Sequence, residues 1–241
     1  MVNHFFQRLA LITGADVLQR LEHTRVMVCG LGGVGSWCAE AHVRSGVGNI
    51  CIVDFDTVCT GNVNRQIQAT SRTIGSAKAE VLKERLLEIN PCCKVNARTE
   101  KFSREKTDDF DLETMCYVID AIDILADKLD LIEACMAADV TLFSSMGMAQ
   151  KMDPQRIKVS CIWETQGCPL ARLVRNGLRK RGCQGDFFVV YSDERLPRHD
   201  ECLDEEQSNG KFINGSAVTV TASAGMALAS LVLRDVMGKQ A

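Results

Sequence analysis

Four glycines within six residues, Gly30-Leu31-Gly32-Gly33-Val34-Gly35, follow directly on the valine-rich run RVMVCG (25–30) and open a helical stretch. Glycines there let the backbone turn tightly and approach an anionic group, which the N–H groups and positive end of the following helix then stabilise. Asp54 ends the next apolar run, ICIVD (50–54), 24 residues past Gly30. A carboxylate in that place can accept hydrogen bonds from ribose hydroxyls. These residues alone suit a dinucleotide as well as a nucleoside triphosphate.

The segment after Asp54 separates the two. Asn62-Val63-Asn64-Arg65-Gln66 sets an arginine and several amides in a loop just outside the strand ends, with Asp56 as a further contact, and Lys78 follows near the start of the next helix. Arginine offers phosphate oxygens a planar fork and lysine a compact charge, a combination that fits ATP better than a nicotinamide cofactor. A lysine at a helix N-terminus opposes the helix dipole, a cost that an intervening anion would offset. Asp120-Ala121-Ile122-Asp123 ends another strand at the same edge of the sheet, where Asp123 is placed to hold Mg²⁺ beside the phosphates. Asp120 suits either that edge or the cap of the helix that follows.

The elements that must position these groups alternate. Strands are expected at 25–30, 50–54, 94–98, 116–120 and 140–144, with helices from about Val34 to Ser45, Gly75 to Asn90 and Leu125 to Ala138 between them. Proline disfavours helix in the residue before it, so Asn90-Pro91 ends the second helix. Such alternation implies an α/β fold, a Rossmann-like doubly wound and mostly parallel sheet. Beyond about residue 150 the pattern changes to strands at 156–162 and 186–192 around a basic helix, Leu170 to Arg181, and a charged loop at 193–211. We therefore expect an adenylation domain over 1–150 and a smaller C-terminal α/β extension over 151–241 that completes the sheet and the substrate site. The uncharged stretch Asn214–Leu233 begins with the alternating AVTVTA and reads as a buried strand and then a helix, so no membrane association is expected.

Composition narrows the options. A net charge of −3 argues against coating nucleic acid by bulk electrostatics, so any RNA contact must come from a patch. Twelve cysteines would suggest disulfides in a secreted chain, but the N-terminus has no leader-like pattern and a reducing, cytoplasmic location is expected. Cys29, Cys51, Cys116 and Cys135 sit inside apolar runs and should pack as small hydrophobes. No Cys-x-x-Cys pair is present to hold zinc.

The glycine motif, Asp54, Asn62-x-Asn64-Arg65-Gln66, Lys78 and the Asp120-to-Asp123 segment together resemble the ubiquitin-activating-enzyme-like superfamily, which includes the adenylyltransferases of thiamine and molybdopterin synthesis. The resemblance spans about residues 8–150. It implies that Asp54 binds ribose, that Arg65, Gln66 and Lys78 hold the phosphates of ATP, that Asp123 lies near the metal, and that the protein is a homodimer in which Arg8 reaches the partner's site. Phe5 stands where many relatives carry an additional arginine.

The segments IGSAKAEVLKERLLEINP (74–91), VIDAID (118–123), Phe188 to Glu194 and Asn214-Gly215-Ser216 are similar to the branch that dehydrates threonylcarbamoyladenosine in tRNA to its cyclic form. That branch implies adenylation of the nucleoside's carboxylate followed by ring closure. Some members carry a cysteine where Val189 stands, so no cysteine nucleophile is expected there, and Cys183 has no evident base partner. A cysteine desulfurase or other sulfur-acceptor system is a further partner the branch allows. Arg172, Arg175, Arg179, Lys180 and Arg181 are candidates for the tRNA backbone. The competing readings are adenylation of a ubiquitin-like or sulfur-carrier protein, disfavoured by the missing zinc pairs and catalytic-cysteine region, and a scaffold that keeps the pocket without turnover.

Overall fold

A computed structural model of the chain describes residues 4–197 and 214–238. Seven strands form one sheet in the order β3-β2-β1-β4-β5-β7-β6. They are β1 (Arg25–Cys29), β2 (Asn49–Val53), β3 (Lys94–Arg98), β4 (Tyr117–Asp120), β5 (Thr141–Ser145), β6 (Ile157–Cys161) and β7 (Phe188–Ser192). All neighbours run parallel except β6, which pairs antiparallel with β7. The strand order reverses between β1 and β4, and in doubly wound sheets a crevice opens outside the strand ends at that point.

Alternation along the strands sorts the core into two layers. Val26, Val28, Ile50, Ile52, Tyr117 and Ile119 face the layer of α2 (Ala15–His23), α3 (Gly35–Arg44), α4 (Lys78–Ile89) and the C-terminal helix α7 (Val218–Gly238). Met27, Cys29, Cys51, Val53, Val118 and Leu142 face α5 (Leu125–Ala137), α6 (Pro169–Lys180) and the segment around Phe102 and Phe110. The short helix α1 (Gln7–Thr13) precedes α2.

Three expectations need correction. AVTVTA is not a strand but the first turn and a half of α7 and its lead-in. Its buried positions Val220, Ala224, Leu228 and Val232 recur every four residues, and small side chains let the helix lie against α3. A Cβ on Gly225 would stand 2.5 Å from the Val34 carbonyl oxygen. Close helix packing therefore overrides the strand preference of alternating Val and Thr. Cys116 is exposed, because β4 begins only at Tyr117; its sulfur accepts the Arg25 N–H at 3.5 Å. Helix α4 starts at Lys78 rather than Gly75, since Gly75 has φ +89° and Thr57 bridges Ala77 in extended pairing. The 198–211 part of the expected charged loop lies outside the described residues.

Candidate active site

The C-terminal ends of β1, β2, β4 and β5 open into a cleft of about 880 Å³. Its floor is the glycine turn. Gly30 has φ +88°, and a Cβ there would meet the Ala121 carbonyl oxygen at 2.7 Å, so only glycine makes this turn under the 121–122 backbone. A Cβ on Gly35 would overlap the Gly30 carbonyl oxygen, whereas one on Gly32 would meet nothing within 4 Å and would project into open space. Gly33 packs beside Thr221 and the Arg65 side chain. Helix α3 begins here with no side-chain cap, although the Ser36 N–H already bonds the Gly32 carbonyl at 3.2 Å, and the positive end of the helix favours an anion.

Asp54 continues from β2 at the cleft wall. Its Oδ2 accepts the Leu31 N–H at 2.6 Å and its Oδ1 the Asp56 N–H at 2.8 Å. The carboxylate thus fixes the glycine turn to the β2 loop while lining the cleft. Burial raises its pKa above the usual carboxylate value, against the lowering influence of Lys78 and these two amides. Lys78, the first residue of α4, is buried and donates from Nζ to Asp56 Oδ2 at 2.7 Å. The anion that offsets the unfavourable lysine at this helix start is therefore the Asp56 carboxylate.

Arg65, Gln66 and Asn62 line the same cleft. The Arg65 guanidinium donates to the Gly61 carbonyl at 2.6 Å and to Asn64 Oδ1 at 3.0 Å, and its own carbonyl accepts the Trp37 indole N–H. Gln66 is buried among the lining residues, and its Oε1 has no partner among the described residues. Buried polar groups are seldom left unpaired, so this one suits a ligand. Asn62 Oδ1 holds the Cys59 N–H at 3.1 Å and shapes the loop. Asn64 does not line the cleft; its amide donates to the Ser216 carbonyl at 2.9 Å and ties the loop to the start of α7.

Asp123 is exposed and lines the cleft next to Ala121, Ile122 and Ile124. Asp120 is not a helix cap, since α5 begins after Ile124 without a side-chain cap. It is wholly buried and bonds Lys128 Nζ at 2.6 Å, Ser144 Oγ at 2.6 Å and the Ile122 N–H at 3.0 Å. Sequence reading missed Lys128, because a single lysine in a helical run looks the same whether it is solvated or buried. It also missed the wall formed by Ser145, Met146, Gly147, Met148 and Ala149 after β5. The position of that loop just past a parallel strand end was the available signal.

Arg8 lies on the exposed side of α1 and does not line the cleft of its own chain. Phe5, Leu11 and Ile12 beside it are 67%, 88% and 79% exposed. On α6 the five basic residues part company. Arg172, Arg179 and Lys180 are exposed, with Arg179 stacked over Trp163 at 5.2 Å. Arg181 pairs with Asp130 at 2.6 Å and Glu133 at 3.1 Å, and Arg175 turns inward to Thr165 Oγ1 and the Ile162 carbonyl. Val189 is fully buried in β7, and Cys183 is half-buried, its thiol 3.9 Å from the Arg181 carbonyl.

The sequence matches the model of the ThiF family over residues 6–240. This chain belongs to the ThiF family. Among curated ThiF-family relatives, the tRNA threonylcarbamoyladenosine dehydratase of Bacillus subtilis is 42% identical over 79% of this chain and 75% of its own length. The enzyme of the same name from Escherichia coli is 35% identical over 98% of this chain and 94% of its own. The crystal structure of that E. coli enzyme, TcdA, in complex with ATP superposes with a TM-score of 0.88 at 33% identity, covering 99% of this chain and 98% of the other. The seven-stranded α/β architecture is thus that of TcdA.

Proposed function

We propose that this chain is an ATP-dependent tRNA threonylcarbamoyladenosine dehydratase, which adenylates the carboxylate of the modified nucleoside and lets it cyclise. The observation that carries the reading is the gathering of Asp54, Arg65, Gln66, Lys78 and Asp123 around one cleft over a glycine turn. The dehydratase relatives at 35–42% identity across most of the chain support this branch over carrier-protein adenylation.

In this reading Asp54 takes the ribose hydroxyls, the α3 start and Gly32 receive phosphate oxygens, Asp56 and Asn62 shape the loop, and Arg65, Gln66 and Lys78 bind the triphosphate. A carboxylate oxygen of the threonylcarbamoyl group attacks the α-phosphorus, and pyrophosphate leaves with its charge offset by Arg65 and Lys78. A nitrogen or oxygen of the same group then attacks the activated carbonyl, and AMP departs with the carboxylate oxygen. The nucleoside has lost one water. Holding both ends in one cleft can supply about 7–11 kcal/mol through proximity, so no protein nucleophile is required.

Among the described residues no group of three or more His, Cys, Asp or Glu is arranged to hold a metal alone. Mg²⁺ usually takes one or two carboxylates and completes its shell with phosphate oxygens and water, and Asp123 is the carboxylate that would hold it here. Its chemistry would be to neutralise the developing pyrophosphate charge. Arg8 adds a positive charge from a partner subunit, docked through the apolar surface of Phe5, Leu11 and Ile12. The exposed Arg172, Arg179 and Lys180 face the tRNA backbone, and the reaction takes place in the cytoplasm.

The test is mass spectrometry of nucleosides from tRNA bearing threonylcarbamoyladenosine, after incubation with the protein, ATP and Mg²⁺. We expect an ATP-dependent loss of one water from that nucleoside, absent with Asp123→Ala. No change, together with pyrophosphate release that depends on a carrier protein ending in Gly-Gly, would reassign the chain to carrier adenylation.

A further inference from the structure

Beneath the cleft, and joined to it only through the backbone of Ile122 and Ser145, lies a closed polar network. Lys128, in the first turns of α5, has a wholly buried side chain. Its Nζ donates to Asp120 Oδ2 at 2.6 Å, to the Ser145 carbonyl at 3.0 Å and to Ser144 Oγ at 3.3 Å, matching three ammonium protons to three acceptors. Asp120 and Ser144 stand side by side in the β4–β5 register, and the Ser144 hydroxyl donates to Asp120 Oδ2 at 2.6 Å. The other Asp120 oxygen accepts the Ile122 N–H at 3.0 Å.

Both ends of this network continue as walls of the cleft. Residues 121–124 carry Asp123 and rest on the Gly30 turn, with the Ala121 N–H on the Cys29 carbonyl at 2.8 Å; residues 145–149, after the neighbouring strand β5, line the cleft beside them. As a stabilising device the pair is a poor choice. Desolvating two charges largely cancels their attraction, and an apolar pair of equal volume is often as stable or more so. A lysine in the first turns of a helix also opposes the dipole. What an apolar pair could not do is fix two strand-end loops in a single relative position through directed bonds.

We infer that Lys128 is a positioning residue, which locks the Asp123 loop to the neighbouring 145–149 loop so that the carboxylate and the adjoining wall stand ready for a metal-bound triphosphate. The inference rests on the nucleotide reading above and deepens it.

The test compares wild type with Asp120→Asn/Lys128→Met, in which both charges go together so that no unpaired ion is left buried. The asparagine side chain of that variant retains an oxygen for the Ile122 N–H. We expect a folded variant by thermal melting. In the nucleotide-free protein, amide exchange should rise at 121–124 and 145–149 and stay at wild-type rates in β1, β2 and α3. By calorimetry, Mg²⁺-dependent ATP binding should weaken by roughly 10–100-fold, as loss of groups that orient metal ligands generally does, while adenosine binding holds. Unchanged exchange in the two loops, or ATP and adenosine weakening together, would overturn the inference. If wild type failed to bind ATP at all, the nucleotide reading would fall instead, and the exchange comparison would still judge Lys128.

Discussion

Lys78 Nζ lies 2.7 Å from Asp56 Oδ2, with the lysine buried and the aspartate half exposed at the rim of the cleft. The Lys78 N–H also bonds the Asp56 carbonyl at 3.0 Å, so loop and helix start are tied twice. The ammonium is held in place before any triphosphate arrives, which limits the ordering that binding must supply. Lys78→Met should lower ATP-dependent turnover by about 10²–10³-fold, the scale of losing one charge-stabilising donor. Because the abandoned Asp56 can turn to solvent, stability should change by no more than about 1 kcal/mol. Asp56→Asn keeps the shape of the rim and should cost less than Lys78→Met. Equal losses in the two variants, read by steady-state kinetics, would refute the division of labour.

The glycine turn contains two kinds of glycine that substitution can tell apart. A Cβ on Gly35 would overlap the Gly30 carbonyl oxygen, so Gly35→Ala must displace backbone. A loss of about 1–3 kcal/mol in unfolding free energy is expected, with nucleotide binding lost as a consequence. Gly32 has no atom within 4 Å of its would-be Cβ and carries no left-handed φ. Gly32→Ala should therefore melt like wild type yet bind ATP more weakly, because the methyl occupies ligand space. Denaturant titration beside calorimetry measures both. A destabilised Gly32→Ala would contradict the geometry.

Legibility in the sequence followed the same distinction. Periodicity marked β1, β2, β4 and α5 to within a residue or two, and the glycine spacing marked the cleft floor, because both are local properties of the chain. The motif could not say which glycine serves the fold and which the ligand, since that depends on Gly30 and Ala121 meeting across the sheet. Likewise Asp120 offered no sign of its partner, because Lys128 and Ser144 meet it only once β4 and β5 pair. AVTVTA misled for a related reason: its alternation is real, but the surface it packs on is a helix. The bond from the Asn64 amide to Ser216 was equally hidden, since Ser216 lies 152 residues further along.

His42 sets a pH dependence of stability. Its ring is fully buried in α3, Nδ1 lies 3.6 Å from Cys38 Sγ and Nε2 has no partner among the described residues. Burial lowers its pKa from 6.5 to about 4. The unfolded chain takes up the proton more readily, so His42 costs nothing above pH 6.5 and destabilises progressively as pH falls from 6.5 to about 4. At about 1.4 kcal/mol for each pH unit of that window, the cost reaches roughly 3 kcal/mol at the low end. His42→Leu should flatten the dependence of unfolding free energy across the window relative to wild type. Parallel curves for the two proteins would show that the ring is reached by water.

The basic face of α6 should separate by partner. Arg181 holds Asp130 and Glu133 of α5, so Arg181→Ala should lower stability with little effect on the salt dependence of tRNA binding. Arg172 and Lys180 are exposed, and Arg172→Glu with Lys180→Glu should weaken tRNA binding and reduce the slope of log K against log salt by about one for each phosphate no longer neutralised. Filter binding at several salt concentrations measures the slope. An unaltered slope would move the tRNA to another face.

Arg8 cannot serve the cleft it is encoded with if it acts across a dimer, and this makes a complementation experiment decisive. Arg8→Ala leaves its own cleft intact but offers the partner nothing; Lys78→Met spoils its own cleft but can still lend Arg8. Each alone should be nearly inactive. Mixed in equal amounts and allowed to exchange subunits, half the dimers are hybrids, and in each hybrid one of two clefts has both groups. About a quarter of wild-type activity should return in a two-fold symmetric dimer. Leu11→Glu in either parent, by placing charge on the exposed apolar surface beside Arg8, should abolish the recovery while leaving that chain folded. Recovery that survives Leu11→Glu would put the dimer interface elsewhere, and no recovery in the first mixture would confine Arg8 to the surface of its own subunit.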